Sequence, residues 1–290
     1  GLVLTSLPIL FTTLFLLGAQ AAVFGPVKYS ILPQHLQEHE LVGGNALIEA
    51  GTFVAILVGT LAGGLLAGSV EHPAWIALGG FIVAAAGYVI SRGIPAAPAP
   101  AQDLAVNPNP ITETWRNINF ARANRTVFLS ILGISWFWLY GALFLAQFPA
   151  YAKNVLGGGE SSVTLLLATF TVGIGLGSLL CERMSGKRVE IGLVPFGSIG
   201  LTLFGLDMYF ASPVGLAGNG THELLALLSL PAIWRVLFDL MMLGVFGGFF
   251  IVPLYALVQL RSSVEHRARI IAANNILNAL FMVVGALGAA

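Results

Sequence analysis

Charge is what this sequence has least of. Of its 290 residues, 9% are charged and 57% hydrophobic, and the mean hydropathy is +0.89. Soluble globular chains carry about 25% charged residues, so a protein dissolved mostly in lipid is expected. Thirteen basic residues balance thirteen acidic ones, and no basic block suggests nucleic acid. Cysteine is nearly absent. Cys181 stands alone, which excludes an intrachain disulfide and any cysteine-based metal cluster. Catalytic patterns are missing as well. The five histidines (His35, His39, His72, His222 and His266) fall in loops between apolar runs. There is no His-Glu-x-x-His spacing, no Gly-x-Ser-x-Gly elbow and no phosphate-cradling Gly-rich loop with its lysine. His35 with Glu40 five residues on is too weak a pattern for acyl transfer. No catalytic residue, metal ligand or cofactor is therefore expected. Residue 1 is Gly rather than Met, and apolar sequence begins at once without a charged leader. The expectation is a chain cut inside a larger protein rather than a signal peptide.

What the chain does have is long apolar runs. A membrane span needs about 20 mainly apolar residues. Eight runs meet that length, at roughly 7–32, 44–69, 73–91, 127–151, 162–181, 190–211, 234–258 and 268–290. Orientation follows from the loops. Arg92, Arg116, Arg122 and Arg125 lie between spans three and four; Arg183, Lys187 and Arg188 follow span five; Arg261, Arg267 and Arg269 follow span seven. These loops share one side, which the positive-inside bias makes the cytoplasm. The opposite loops hold Lys153, with Arg235 at a helix edge. Between the third and fourth spans, Ile94 to Pro110 is rich in Pro and Ala, which favours an extended linker. Ile111 to Arg125 mixes Trp115, Ile118 and Phe120 with arginines, as a helix on the cytoplasmic surface would.

One pattern occurs twice. Phe24-Gly-Pro26-Val-Lys28 ends a run, a polar loop carries Glu38-His39, and Asn45 to Glu49 opens a run reaching Gly59. Downstream, Phe250-Ile-Val-Pro253 ends a run, the loop carries Glu265-His266, and Asn274 to Asn278 opens a run reaching Gly288. The prolines are 253 − 26 = 227 positions apart and the asparagines 274 − 45 = 229. Internal repeats of helical hairpins mark secondary transporters. Subtracting the period from the start of the second half near Val127 puts the start of the first half about 100 residues before Gly1, room for three spans. The expected organisation is therefore 1–92 as the C-terminal part of a first six-helix half, 93–126 as a cytoplasmic central linker, and 127–290 as a second six-helix half lacking its last helix. Glycine spacings Gly59/Gly63, Gly64/Gly68 and Gly173/Gly177 are small-xxx-small motifs that let helices approach closely.

A charge at mid-bilayer costs about 2.5–3.5 kcal/mol on insertion scales, so polar residues within spans are candidates for function. Gln20, Phe24 and Lys28 are spaced by four and share a helix face. Lys28 either snorkels to water or, with Gly25 and Pro26 breaking the helix before it, faces a cavity. Asn45 and Glu49 share a face one turn into their span. They form a structural pair with Lys28, or with it present both charges to a zwitterionic or phosphate-bearing ligand. Asn274 and Asn278 hold the equivalent positions downstream, beside Asn275, so a site between the halves would be charged on one side only. Trp136, Tyr140 and Gln147 lie along one side of span four with Trp138 beside them, as interface anchors or cavity lining. Arg235 and Asp239, four apart, read as a helix-surface ion pair.

Loop 181–188, Cys-Glu-Arg-Met-Ser-Gly-Lys-Arg, resembles a degenerate second-half copy of the loop signature of the major facilitator superfamily. Phe24-Gly-Pro-Val-Lys28-Tyr-Ser-Ile-Leu, Gly44-Asn45-Ala-Leu-Ile-Glu49-Ala, Gly247-Gly-Phe-Phe-Ile-Val-Pro253-Leu-Tyr-Ala-Leu and Ala273-Asn274-Asn275 together resemble the bacterial lysophospholipid transporters of that superfamily. The resemblance is nearest to those fused to acyltransferase and acyl-carrier ligase domains, and it covers nearly the whole chain. It implies an all-α, major-facilitator-type helical bundle, here with about eight of twelve transmembrane helices, in a bacterial inner membrane. The implied function is flipping of lysophospholipids from the outer to the inner leaflet for reacylation, with a fused or associated acyltransferase as partner. Lys28 and Glu49 match charged positions of the family pattern. Lys28 is then expected to contact the phosphate, and Glu49 the amine or a partner cation. Leu145 stands where the single-domain members carry an arginine, with Gln147 nearby. The substrate-binding set expected is Lys28, Glu49, Asn45, Gln20, Gln147, Asn274 and Asn278. A proton-coupled exporter of hydrophobic solutes with Glu49 titrating, and a non-transporting membrane anchor for a fused acyltransferase, are the alternative readings.

Overall fold

The structure is a computed structural model that describes residues 6–69, 73–98, 107–186, 188–213, 216 and 223–289. Among the described residues the regular structure is helical. Eight helices are long and apolar enough to cross a membrane: α1 (Leu7–Ser30), α3 (Leu41–Ser69), α4 (Pro73–Ser91), α6 (Arg125–Asn154), α7 (Glu160–Met184), α8 (Leu193–Ala211), α10 (Pro231–Arg261) and α11 (Arg267–Ala289). They coincide with the eight expected spans, with α6, α7 and α10 extended by a turn or less at their ends. Helices are the form in which a single segment satisfies its own backbone in lipid. The protein is a multi-pass membrane protein.

Shorter helices occupy one basic end of the bundle and one opposite loop. α2 (Leu32–His35) and a 3-10 turn at Glu38–Glu40 join α1 to α3, so the expected polar loop is mostly helical. α5 (Pro110–Arg122) is the surface helix expected in the linker. Asn109 caps it by accepting from Ile111 and Thr112 N–H groups, and Pro110 suits its first position. Residues 95–98 and 107–109 carry no helix, and the rest of the Pro/Ala-rich stretch, 99–106, lies outside the described residues. α9 (Leu224–Leu228) sits before α10. α7 ends at Ser185 and Gly186, where Gly186 adopts φ +59°. Glycine takes that left-handed position without a Cβ penalty, which is the reason for a glycine within the 181–188 loop.

The expected break in the first span does not occur. Gly25 and Pro26 do not break α1, which continues to Ser30 with Pro26 inside it. Pro253 is likewise inside α10. A membrane helix tolerates the missing N–H because neighbouring groups satisfy the freed carbonyl. The chain turns five residues later, at Ile31, before α2 begins.

α10 is the axis of the bundle. It is buried along most of its length, as a helix apolar on all sides must be. α7 and α8 flank it and α6 and α3 complete its surround. The α7–α10 contact is made by glycine on both sides: a Cβ at Gly173, Gly177, Gly244 or Gly248 would meet backbone of the facing helix. The expected role of the α7 motif is therefore realised. Gly59, Gly63 and Gly64 on α3 have no neighbour within reach, so that motif makes no helix contact, and Gly68 has no described side-chain surroundings. α1 packs on α11 while α3 packs on α10. Exchanging the two repeated hairpins maps one of these contacts onto the other.

Candidate functional site

The two repeated hairpins meet at their basic ends, and polar side chains join them there. Asn45 on α3 and Gln259 on α10 exchange two hydrogen bonds. The Asn45 amide donates to Gln259 Oε1 at 2.6 Å, and the Gln259 amide donates to Asn45 Oδ1 at 3.0 Å. Gln259 also donates to the Tyr29 carbonyl at 3.0 Å, and Asn45 to the Leu41 carbonyl at 2.8 Å. All four groups are therefore engaged, with both side chains buried. Tyr29 on α1 and Tyr255 on α10 stack in parallel, ring centroids 4.2 Å apart and planes within 3°. The Tyr29 hydroxyl donates to Glu49 Oε1, and Trp138 on α6 donates to the Tyr255 hydroxyl at 3.0 Å. Four helices are thus tied by one chain of contacts. Close approach makes it possible. A Cβ at Gly25 would collide with the Asn275 amide, and one at Gly43 would lie 2.6 Å from Glu182 Oε1.

Lys28 turns inward rather than snorkelling. Its Nζ donates to Thr52 Oγ1 at 3.2 Å and lies 4.7 Å from the Tyr29 ring centroid. None of the three ion pairs among the described residues joins it to Glu49. Glu49 is wholly buried, and its Oε2 has no partner. Asn274, beside the Tyr255 hydroxyl, is buried with neither amide atom hydrogen-bonded. Buried polar groups left unpaired in this way are rare and costly. Here they gather at the seam between helices, a carboxyl and an amide, with the Lys28 amine alongside. That arrangement can offer a ligand an acceptor, a donor and both charges at short range.

Of the seven residues expected to bind substrate, the structure gathers four here: Lys28, Glu49, Asn45 and Asn274. Asn278 lies one turn away and accepts from Ser135 on α6 at 2.8 Å. Gln20 is exposed on α1, in a shallow apolar groove of about 510 Å³ with Ala19, Val23, Phe24 and Val27. Gln147 is exposed on α6, so neither glutamine joins the cluster. Trp136 and Tyr140 do stack, centroids 5.5 Å apart, but Trp138 is the member of that set that reaches the seam. Next to it, Phe53 of α3 lies 6.2 Å from both Trp138 and Phe170.

Tyr29, Tyr255, Gln259 and Thr52 were missed in the sequence. A signal existed for three of them. Each repeat places a tyrosine two or three residues after its helix proline, and Gln259 is an amide inside an apolar span. At the opposite end, the expected Arg235–Asp239 pair is not formed. Arg235 instead makes two hydrogen bonds to Asp207 on α8, because a guanidinium fork fits a facing carboxylate better than one on its own helix. Asp239 is buried with both oxygens unpartnered.

Comparison with known proteins adds the following. The family model described as Major Facilitator Superfamily matches residues 1–286. Relatives include the protein named Lysophospholipid transporter LplT of Serratia proteamaculans (strain 568), 30% identical over 252 residues. Those of the same name from Klebsiella pneumoniae (strain 342) and Shigella boydii serotype 4 (strain Sb227) are 33% identical over 260 and 256 residues. In each case the match covers 85% of this chain and 57% of the relative, so the chain spans little more than half the length of the curated relatives it matches. No solved structure matches.

Proposed function

The chain belongs to the Major Facilitator Superfamily, and on that premise we propose that its function is lysophospholipid transport, from the outer to the inner leaflet of a bacterial inner membrane. The observation that carries the reading is the seam cluster. Lys28 and Glu49 put opposite charges side by side between helices without pairing with each other. A zwitterionic phospholipid headgroup has the complementary pair, with Lys28 for the phosphate and Glu49 for the amine. The names of the relatives support the substrate class. In this reading residues 1–92 and 127–290 belong to two halves joined by the 93–126 linker. Contacts of Asn45, Gln259, Tyr29 and Tyr255 hold the basic end shut, and parting them opens the site to the cytoplasm. Reacylation of the delivered lipid by a fused or associated acyltransferase completes the proposal.

Lys28→Ala in the full-length protein should abolish uptake of lysophosphatidylethanolamine into proteoliposomes. Normal uptake at normal protein levels would remove Lys28 from the site. One second reading has an observation in its favour. Glu49, wholly buried with a free oxygen, is also what a proton-coupled exporter of hydrophobic solutes would use. Uptake that continues unchanged when the proton gradient is collapsed rules that exporter out.

A further inference from the structure

The strongest anomaly outside the seam lies at the opposite end of the bundle. Asp239, on the third turn of α10, is wholly buried, and neither of its carboxylate oxygens has a hydrogen-bond donor. Asp207 on α8 is held beside it by Arg235, one turn earlier on α10. Both Asp207 oxygens are already occupied by Arg235. Among the described residues, Tyr151 of α6 is the remaining titratable group nearby, and its hydroxyl is joined to Ser212 Oγ at 2.7 Å. α7 meets α10 at this level through Gly173, and α9 consists of Leu and Ala, so neither adds a charge. Two carboxylates against one guanidinium leave a net charge of −1 in a setting where an isolated anion is very costly.

We propose that Asp207 and Asp239 form a proton-binding site, with one proton held between the two carboxyl groups and Arg235 neutralising the second charge. A proton fits better than a metal ion. Hard metal cations take six or more oxygen ligands, and among the described side chains at this site the two Asp239 oxygens are the buried ones left without a partner. The pair is not sealed inside the bundle, since the Asp207 side chain is 37% exposed and Arg235 57%. Shared protons between close carboxyl groups are an established arrangement in proteins. The site is separate from Glu49 and from the proposed headgroup contacts, at the other end of the bundle.

The test uses the full-length protein in lipid and does not depend on transport. Infrared difference spectra are recorded across a pH titration, following the C=O stretch of protonated carboxyl groups, for the wild type and for Asp239→Asn. The asparagine is isosteric with the protonated acid, so folding should be retained, and a thermal melt verifies it. Loss of one titrating carboxyl band in Asp239→Asn, with the band in the wild type indifferent to exchange of sodium for potassium, is the expected result. Identical titrations in the two proteins overturn the proposal. So does a wild-type band that responds to sodium but not to pH, which would identify a metal-ion site. Asp207→Asn should remove the same band, and retention of it there would show that no proton is shared.

Discussion

Replacing Gln259 with leucine removes three hydrogen bonds that cross the seam: two with Asn45 and one with the Tyr29 carbonyl. Hydrogen bonds between membrane helices average about 0.6 kcal/mol in double-mutant cycles. Three such bonds give about 1.8 kcal/mol favouring the closed basic end, which is about a 20-fold shift in the closed-to-open ratio when they are lost. Leucine preserves apolar volume, so the bundle should still fold, and the shift should appear as opening of this end alone. Spin labels at His39→Cys and Ser263→Cys, both exposed at the basic end on opposite hairpins, report the distance between them. Cys181, buried within α7, can stay in place. The expected outcome is a longer-distance population enriched by about that factor in Gln259→Leu. Asn45→Ala added to Gln259→Leu should change little further, because the shared bonds are already gone. An unaltered distance distribution in Gln259→Leu would refute the view that these bonds hold the halves together.

Two other outcomes follow from the packing. Gly177→Leu drives a side chain into the α10 backbone at Val245 and should destabilise the protein by about 3 kcal/mol. Gly59→Ala, with open space around it, should be neutral or stabilise by up to about 1 kcal/mol; thermal melts in detergent compare the two, and equal effects would contradict the observed contacts. Trp138→Phe keeps an aromatic ring but removes the donor to Tyr255, so the same spin-label pair should show about a threefold shift toward the open form; a shift as large as that of Gln259→Leu would mean the ring, not the bond, matters.

Much of the fold was legible in the residues. Each span announced itself by about 20 apolar positions, since a backbone in lipid has to close its own hydrogen bonds wherever it crosses. The surface helix α5 showed itself by arginines mixed with Trp115 and Phe120. Pro26 misled because a break was inferred from one missing N–H, whereas a helix loses only that single bond and α1 runs on to Ser30. Arg235 misled in a similar way: spacing on one helix suggested Asp239, but α8 supplies Asp207 in better geometry.

The sequence alone determined that this stretch of chain carries eight apolar helical spans, which end is basic, and that Lys28, Asn45, Glu49 and Asn274 are polar groups held in lipid against their solvation preference. Those properties are local: they depend on composition, length and charge along one segment. Which partner each polar group takes was decided only by tertiary structure. Asn45 meets Gln259 across 214 positions, Tyr29 stacks on Tyr255, and Asp239 is left without a donor. Such pairings depend on how glycine contacts on α7 and α10 and the close approach at Gly25 set one helix against another, and no spacing within a single segment encodes them.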